Sequence, residues 1–245
     1  MTKGIAVDGM SKTNRFLAGF RPVLEALVIF LTLNFGVFVV LSFWPHLLGW
    51  LWLSADRPWG IVTSVFSHVD LDHISSNIVG FVFAAVLFVL INLNKSEKTR
   101  RRLSSRFLLL VFVAGFAANL LQYPFLLAKL GKSSYGASGI VYGSLGIVFS
   151  CALHDLPSNA RFIAGQRRRL RSRKKKQSVF RLDPNTLKFF SSVLAVSLVI
   201  SLLFLVIFDI GSFLNVAPEV DVFAHGVGFL IGFVVFTGFQ LFNIK

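Results

Sequence analysis

Six long stretches of the chain are apolar and carry no charged side chain. A helix needs about 20 apolar residues to cross the hydrocarbon core of a bilayer, and a helix satisfies its own backbone hydrogen bonds in lipid. The pattern predicts an all-α membrane protein, a bundle of six transmembrane helices. The six stretches are Ala26–Trp44, Ile74–Asn94, Phe107–Ala128, Ser138–Leu153, Phe189–Phe208 and Val222–Ile244.

The composition supports a membrane protein rather than a soluble one. Hydrophobic residues make up 55% of the 245 residues, and charged residues only 15%. A soluble domain of this size would need more charged residues to cover its surface.

The basic residues of the chain predict its orientation in the membrane. The net charge is +14, and the Lys and Arg residues cluster before the first stretch, between the second and third, and between the fourth and fifth. With six crossings these segments lie on one side, which an excess of Lys and Arg marks as cytoplasmic. We therefore expect residues 1–21 to be a basic cytoplasmic tail, residues 22–245 to be one membrane domain with a basic cytoplasmic loop at 154–188, and the C-terminus to be cytoplasmic.

The same pattern suggests partners and location. Basic segments beside a membrane contact anionic lipids, so the lipid bilayer is an expected partner. The charge follows the predicted topology, and we therefore expect no nucleic-acid partner. The expected location is the cell membrane, with multiple passes.

The segment between the first two stretches, Pro45–Leu71, is too apolar for a free loop and too interrupted by Pro and Gly for another crossing. It contains three of the four tryptophans, Trp50, Trp52 and Trp59, and tryptophan prefers the membrane interface. We expect an interfacial first loop with a short helix. A belt of tryptophans that only anchors the protein is an equally good interpretation of these residues alone.

A serine and a histidine at the starts of two different stretches suggest a hydrolase. Ser138 lies in Gly136-Ala137-Ser138-Gly139, where a polar loop leads into the fourth stretch, and His225 lies near the start of the sixth. A serine hydroxyl becomes a good nucleophile when a base removes its proton, and histidine titrates in the right range. No carboxylate lies within the stretches, so the sequence predicts a Ser138–His225 dyad. Tyr142, one turn after Ser138, can stack on His225.

Side chains that can stabilise an oxyanion lie near the start of the second stretch. His73 and Asn77 are four residues apart and share a helix face. The backbone N–H of Ser138, at a helix start, has no partner within its own helix. These three donors can form an oxyanion hole. His68 lies just before them and can support the loop, while Gly136 and Gly139 leave room for a substrate backbone.

Glycines predict which helices are neighbours. Gly139, Gly143 and Gly146 are spaced four and three apart on the fourth stretch, and Gly228 and Gly232 four apart on the sixth. Such spacing allows helices to approach closely in lipid. The helices with Ser138 and His225 are therefore expected to pack together.

Taken together, these motifs resemble the rhomboid family of intramembrane serine proteases. The resemblance rests on His73-Ile-Ser-Ser-Asn77, on Gly136-Ala137-Ser138-Gly139 with Tyr142, and on Ala224-His225-Gly226-Val227-Gly228. It implies Ser138 as nucleophile, His225 as base, His73, Asn77 and the Ser138 amide as oxyanion donors, and Tyr142 beneath the histidine. Its implied substrates are transmembrane segments of other proteins. The chain departs from the family at Trp59-Gly60, where many members have Trp-Arg.

Other classes fit less well. The His-Glu-x-x-His motif of a zinc protease is absent, and Asp209 and Asp221 lie at the ends of stretches rather than within them as an aspartyl protease requires. No metal or cofactor is expected. Two alternatives remain open: an inactive rhomboid-like adaptor that binds membrane clients, and a small transporter or channel. An adaptor does not need the dyad, and a transporter needs a polar path across the whole membrane, whereas the inner half here is mostly Phe, Val and Leu.

Overall fold

The structure, a computed structural model, describes residues 18–128, 133–172, 184–211 and 222–242. It is helical apart from one short strand pair. The helices are α1 (Arg21–Phe43), α2 (Leu48–Leu51), α3 (Gly60–Thr63), α4 (Leu71–Asn92), α5 (Glu97–Ala128), α6 (Ser138–His154), α7 (Leu156–Ser172), α8 (Pro184–Phe208) and α9 (Val222–Leu241).

The helices confirm an all-α membrane bundle. In the described part of the chain, α1, α4, α5, α8 and α9 are long and apolar enough to cross a membrane. The remaining predicted span, the fourth stretch Ser138–Leu153, corresponds to α6, which has 17 residues. It continues into α7 after a bend of 54°, and this bent pair is the sixth candidate.

Two helix boundaries differ from those expected. Helix α5 begins at Glu97, ten residues before the predicted Phe107, because the intervening charged residues are good helix formers without Gly or Pro. Helix α7 occupies 156–172, within the segment predicted to be a basic loop. The rest of that basic segment, 173–183, and the N-terminal residues 1–17 lie outside the described residues.

Helix α6 is the centre of the bundle and packs against α4, α5, α8 and α9. The glycines of α9 face α6: a Cβ added at Gly228 would lie 2.5 Å from the carbonyl oxygen of Gly139. One at Gly232 would meet the Gly143 carbonyl in the same way. The two helices therefore run parallel in close contact, and the prediction that they are neighbours is confirmed. Helices α6 and α9 both begin at the same end of the bundle. This end is called the Ser138 end.

The opposite half of the α6–α9 contact contains buried polar groups. The hydroxyls of Ser150 and Thr237 lie 2.8 Å apart, and Ser150 also donates to the Gln240 side chain at 3.2 Å. This half was expected to be mostly Phe, Val and Leu, and these polar side chains lie among such residues. Polar side chains on two helices can satisfy each other across an interface that sequence spacing does not reveal.

The first loop folds into short segments at the Ser138 end. It contains 3₁₀ turns at Pro45–Leu47 and Ser64–Phe66 around α2 and α3. Strand β1 (Leu53–Ser54) pairs antiparallel with β2 (Ser133–Ser134), a contact that the sequence did not predict. The strand pair ties the first loop to the segment that leads into Ser138.

Candidate active site

Ser138 is the first residue of α6 and is partly exposed. The turn before it depends on Gly136, whose φ of +106° is one that L side chains rarely adopt. The Gly136 N–H donates to the Ser64 carbonyl oxygen at 2.8 Å. This bond attaches the serine turn to the first loop.

His225 is held beside the helix that carries Ser138. Its ring is buried, with 5% of its surface exposed. It stacks on Tyr142 with ring centroids 4.1 Å apart and planes 13° from parallel. Tyr142 lies one helical turn after Ser138, so the stack places the imidazole within one turn of the serine. This contact was expected from the sequence.

The Ser138 hydroxyl has no hydrogen-bond partner among the described residues. Its backbone N–H is also unpaired among them, as expected for the first residue of a helix. In enzymes without substrate, catalytic hydrogen bonds are often long and shorten only when substrate binds. Within the described ranges, the Ser138 hydroxyl and N–H are thus both available to a substrate.

Helix α4 brings His73 against the serine turn. Asp70 caps this helix by accepting from the His73 N–H at 2.7 Å. A Cβ added at Gly136 would lie only 2.6 Å from His73 Nε2. Glycine is therefore needed at 136 for a second reason: the His73 ring occupies the space that a side chain would fill. The position of His73 is suited to a substrate oxygen bound at the turn.

Asn77 lies one turn further along α4 and is buried, with 6% exposed. Its Nδ2 donates to the His73 carbonyl oxygen at 3.1 Å and lies 3.1 Å from His68 Nε2. The four residues His68, His73, Asn77 and Gly136 thus form one contact group beside Ser138.

His68 lies between α4 and the serine turn rather than only supporting the preceding loop. It is 2% exposed, and its Nε2 also accepts from the Ala137 N–H at 3.4 Å. Burial and, to a lesser extent, the nearby His73 lower the pKa of His68 from 6.5 to about 4. The imidazole is therefore neutral near pH 7.

Several residues of the site were missed from the sequence. Asn119 on α5 donates to the Ser64 hydroxyl at 2.9 Å. Helix α5 thus supports Ser64, whose carbonyl oxygen accepts from the Gly136 N–H. The Tyr135 ring lies beside the His73 ring, with centroids 5.7 Å apart, and stacks on the Trp52 ring, with centroids 5.4 Å apart. The signal for Asn119 was its position as a polar residue within an apolar stretch, but its partner depends on the fold.

One of three comparisons with known proteins found a match, to a family model. Residues 55–165 match the family model of the Rhomboid domain. Over this segment, which is less than half of the 245 residues, the chain is similar to the rhomboid family. The match contains His68, His73, Asn77, Ser138 and Tyr142, and it ends before α9, which carries His225. No curated protein matched the chain, and no solved structure matched it.

The departure at Gly60 from the Trp-Arg of many rhomboids has a structural reason here. A Cβ at Gly60 would be 2.5 Å from the Leu53 backbone nitrogen, so α3 packs directly on β1. A different arginine braces this loop: the Arg57 guanidinium donates to the Gly49 carbonyl oxygen and lies 6.0 Å from the Trp50 ring. The first loop of this protein thus combines close backbone packing at Gly60 with a nearby arginine.

No group of three or more His, Cys, Asp or Glu side chains in the described ranges could hold a metal ion.

Proposed function

We propose that this protein is an intramembrane serine endopeptidase that cleaves transmembrane segments of other membrane proteins near their outer ends. The observation that carries the proposal is the stack of His225 on Tyr142, one turn from Ser138, in a chain whose rhomboid domain places His73 against the serine turn. A nucleophile, a base and a polar donor from three helices meet at one end of the bundle.

In the proposed reaction His225 removes the proton of the Ser138 hydroxyl as the oxygen attacks the scissile carbonyl. The imidazolium then gives this proton to the leaving amine, which separates the first product and leaves an acyl-enzyme. Water, activated by the same histidine, releases the second product. Tyr142 stabilises one orientation of the ring, the task that a carboxylate performs in a triad.

The oxyanion that forms in each step is held by His73, Asn77 and the Ser138 N–H in this proposal. The Ser138 N–H has no competing partner among the described residues. Both N–H bonds of the Asn77 amide already have neutral acceptors at 3.1 Å. An anionic oxygen is the stronger acceptor, so the developing oxyanion draws one of these N–H bonds from its resting acceptor.

We further propose that the Ser138 end faces outward, that both termini are cytoplasmic, that the protein resides in the cell membrane, and that the opposite end contacts anionic lipids. An open cavity of about 680 Å³ at that opposite end supports the lipid contact, because three bases line it. Its lining residues are Ser96, Glu97, Lys98, Arg101, Arg102 and Ser105.

A fluorophosphonate probe tests the nucleophile directly. Wild type should be labelled at Ser138, and Ser138→Ala should not be. Ser144→Ala is the matched control, because Ser144 lies on the same helix with its hydroxyl bonded to the Val141 carbonyl oxygen at 2.6 Å. Inactive members of the family exist. A folded wild type that resists labelling would favour the adaptor alternative.

A further inference from the structure

One ring nitrogen of His68 contacts both sides of the proposed oxyanion hole. On the α4 side, Nε2 lies 3.1 Å from the Asn77 side-chain nitrogen. On the serine side, it accepts from the Ala137 N–H at 3.4 Å. The peptide unit after Ala137 carries the N–H of Ser138. His68 is thus the one side chain that touches both Asn77 and the backbone leading into the nucleophile among the contacts described here.

We propose that His68 is a positioning residue that orients the Asn77 amide and the serine turn for oxyanion binding. The inference rests on the proposed function and adds a residue whose effect on the reaction passes through Asn77. A histidine that merely filled space would not need to place one nitrogen between two donors.

The chemistry of the two contacts fixes the state of the ring. A backbone N–H can only donate, so Nε2 must accept and cannot carry a proton. The neutral ring therefore holds its proton on Nδ1. Burial favours this neutral form, and the charged groups that act on the ring are His73, which opposes protonation, and Asp70, which favours it.

The proposed role follows from these contacts. Without substrate, His68 Nε2 and the His73 carbonyl oxygen hold both N–H bonds of the Asn77 amide near the serine turn. When the oxyanion develops, one Asn77 N–H passes to it from its resting acceptor while the other stays bound, so the amide moves little, and such preorganisation is where enzymes gain most electrostatic stabilisation. Removing His68 leaves the amide held by the His73 carbonyl oxygen alone.

A double-mutant cycle tests whether His68 acts through Asn77. kcat and KM for a transmembrane reporter are measured for wild type, His68→Ala, Asn77→Ala and the double variant. Loss of one oxyanion donor lowers kcat by about 10²–10³-fold. Because His68 acts through Asn77, we expect His68→Ala to lower kcat by about 10-fold or more but by no more than the loss of Asn77 itself, with a smaller change in KM. In the Asn77→Ala background the same change should lower kcat by less than about 3-fold. His68→Gln keeps an acceptor and should recover part of the loss.

An equal factor for His68→Ala in both backgrounds would overturn the proposal, as would an Asn77→Ala variant with wild-type kcat. If His68→Ala does not fold, as judged by thermal unfolding in detergent, His68→Leu, which fills more of the space and offers no acceptor, takes its place in the cycle. Loss of cleavage in Ser138→Ala, measured in parallel, separates a failure of this inference from a failure of the proposed function.

A second readout does not depend on activity. In ¹⁵N spectra of histidine-labelled Ser138→Ala protein, the signal that disappears in the additional His68→Gln variant belongs to His68. It should report a neutral ring with unprotonated Nε2 near pH 7. A proton on Nε2 would contradict the two contacts on which the proposal rests.

Discussion

The contact between Gly139 and Gly228 makes a quantitative prediction about activity. A Cβ at Gly228 would lie 2.5 Å from the Gly139 carbonyl oxygen, whereas ordinary contacts begin at about 3.4 Å. The α9 backbone cannot relax around its own Cβ, so Gly228→Ala should separate α6 and α9 by about 0.9 Å. Gly228 lies one turn after His225, and a misplacement of about 1 Å can lower a rate about 10²-fold.

The assay compares reporter cleavage by Gly228→Ala and Gly238→Ala. Gly238 is on the same helix, and a Cβ there meets nothing within 4 Å. Both changes raise helix propensity equally, so only the first should lose activity, by roughly 10²-fold in kcat. Equal activity of the two variants would refute the idea that close α6–α9 packing places the base.

Three further changes test separate contacts. Tyr142→Phe keeps an aromatic ring on His225, and its kcat should remain within about threefold of wild type. Tyr142→Leu removes a stack worth about 0.5–1.5 kcal/mol and should lower kcat by up to about tenfold. Similar kcat values for the two variants would exclude the stack as the contact that orients His225. Gly60→Ala should lower the melting temperature because its Cβ would meet the β1 backbone. Gly49→Ala should not, since the nearest atom to its Cβ would be 3.8 Å away. Unchanged melting temperatures in both variants would contradict close packing at Gly60. The unfolded chain protonates His68 below pH 6.5, but the folded protein does so only below about 4. The free energy of unfolding that this difference contributes is fully present above pH 6.5 and falls by on the order of 3 kcal/mol as the pH drops to 4. The melting temperature in detergent should therefore depend less on pH in His68→Gln than in wild type, and identical pH profiles would argue against a buried neutral ring.

The apolar stretches predicted the bundle well because lipid imposes a simple rule of length and charge. The neighbours α6 and α9 were predicted from Gly139, Gly143, Gly228 and Gly232, since glycine spacing leaves a clear sequence signal. The stack of Tyr142 on the base also followed from the spacing of one helical turn.

What the sequence did not predict depends on partners far apart in the chain. His68 was expected to support a loop, but its contact with Ala137 joins residues separated by 69 positions. Asn119 reaches Ser64 across 55 positions, and the Ser150–Thr237 contact spans 87. Asn119, Ser150 and Thr237 are polar within apolar stretches, which marks each as needing a partner but does not name that partner. The helical start at Glu97 was missed because charged residues were assigned to a loop.

The most direct test of the account is cleavage of a transmembrane reporter in liposomes by wild type, Ser138→Ala and Ser144→Ala. The account predicts cleavage by wild type and by the Ser144 variant, and none by a folded Ser138→Ala protein. Cleavage by Ser138→Ala at the wild-type rate would contradict the assignment of Ser138 as the nucleophile.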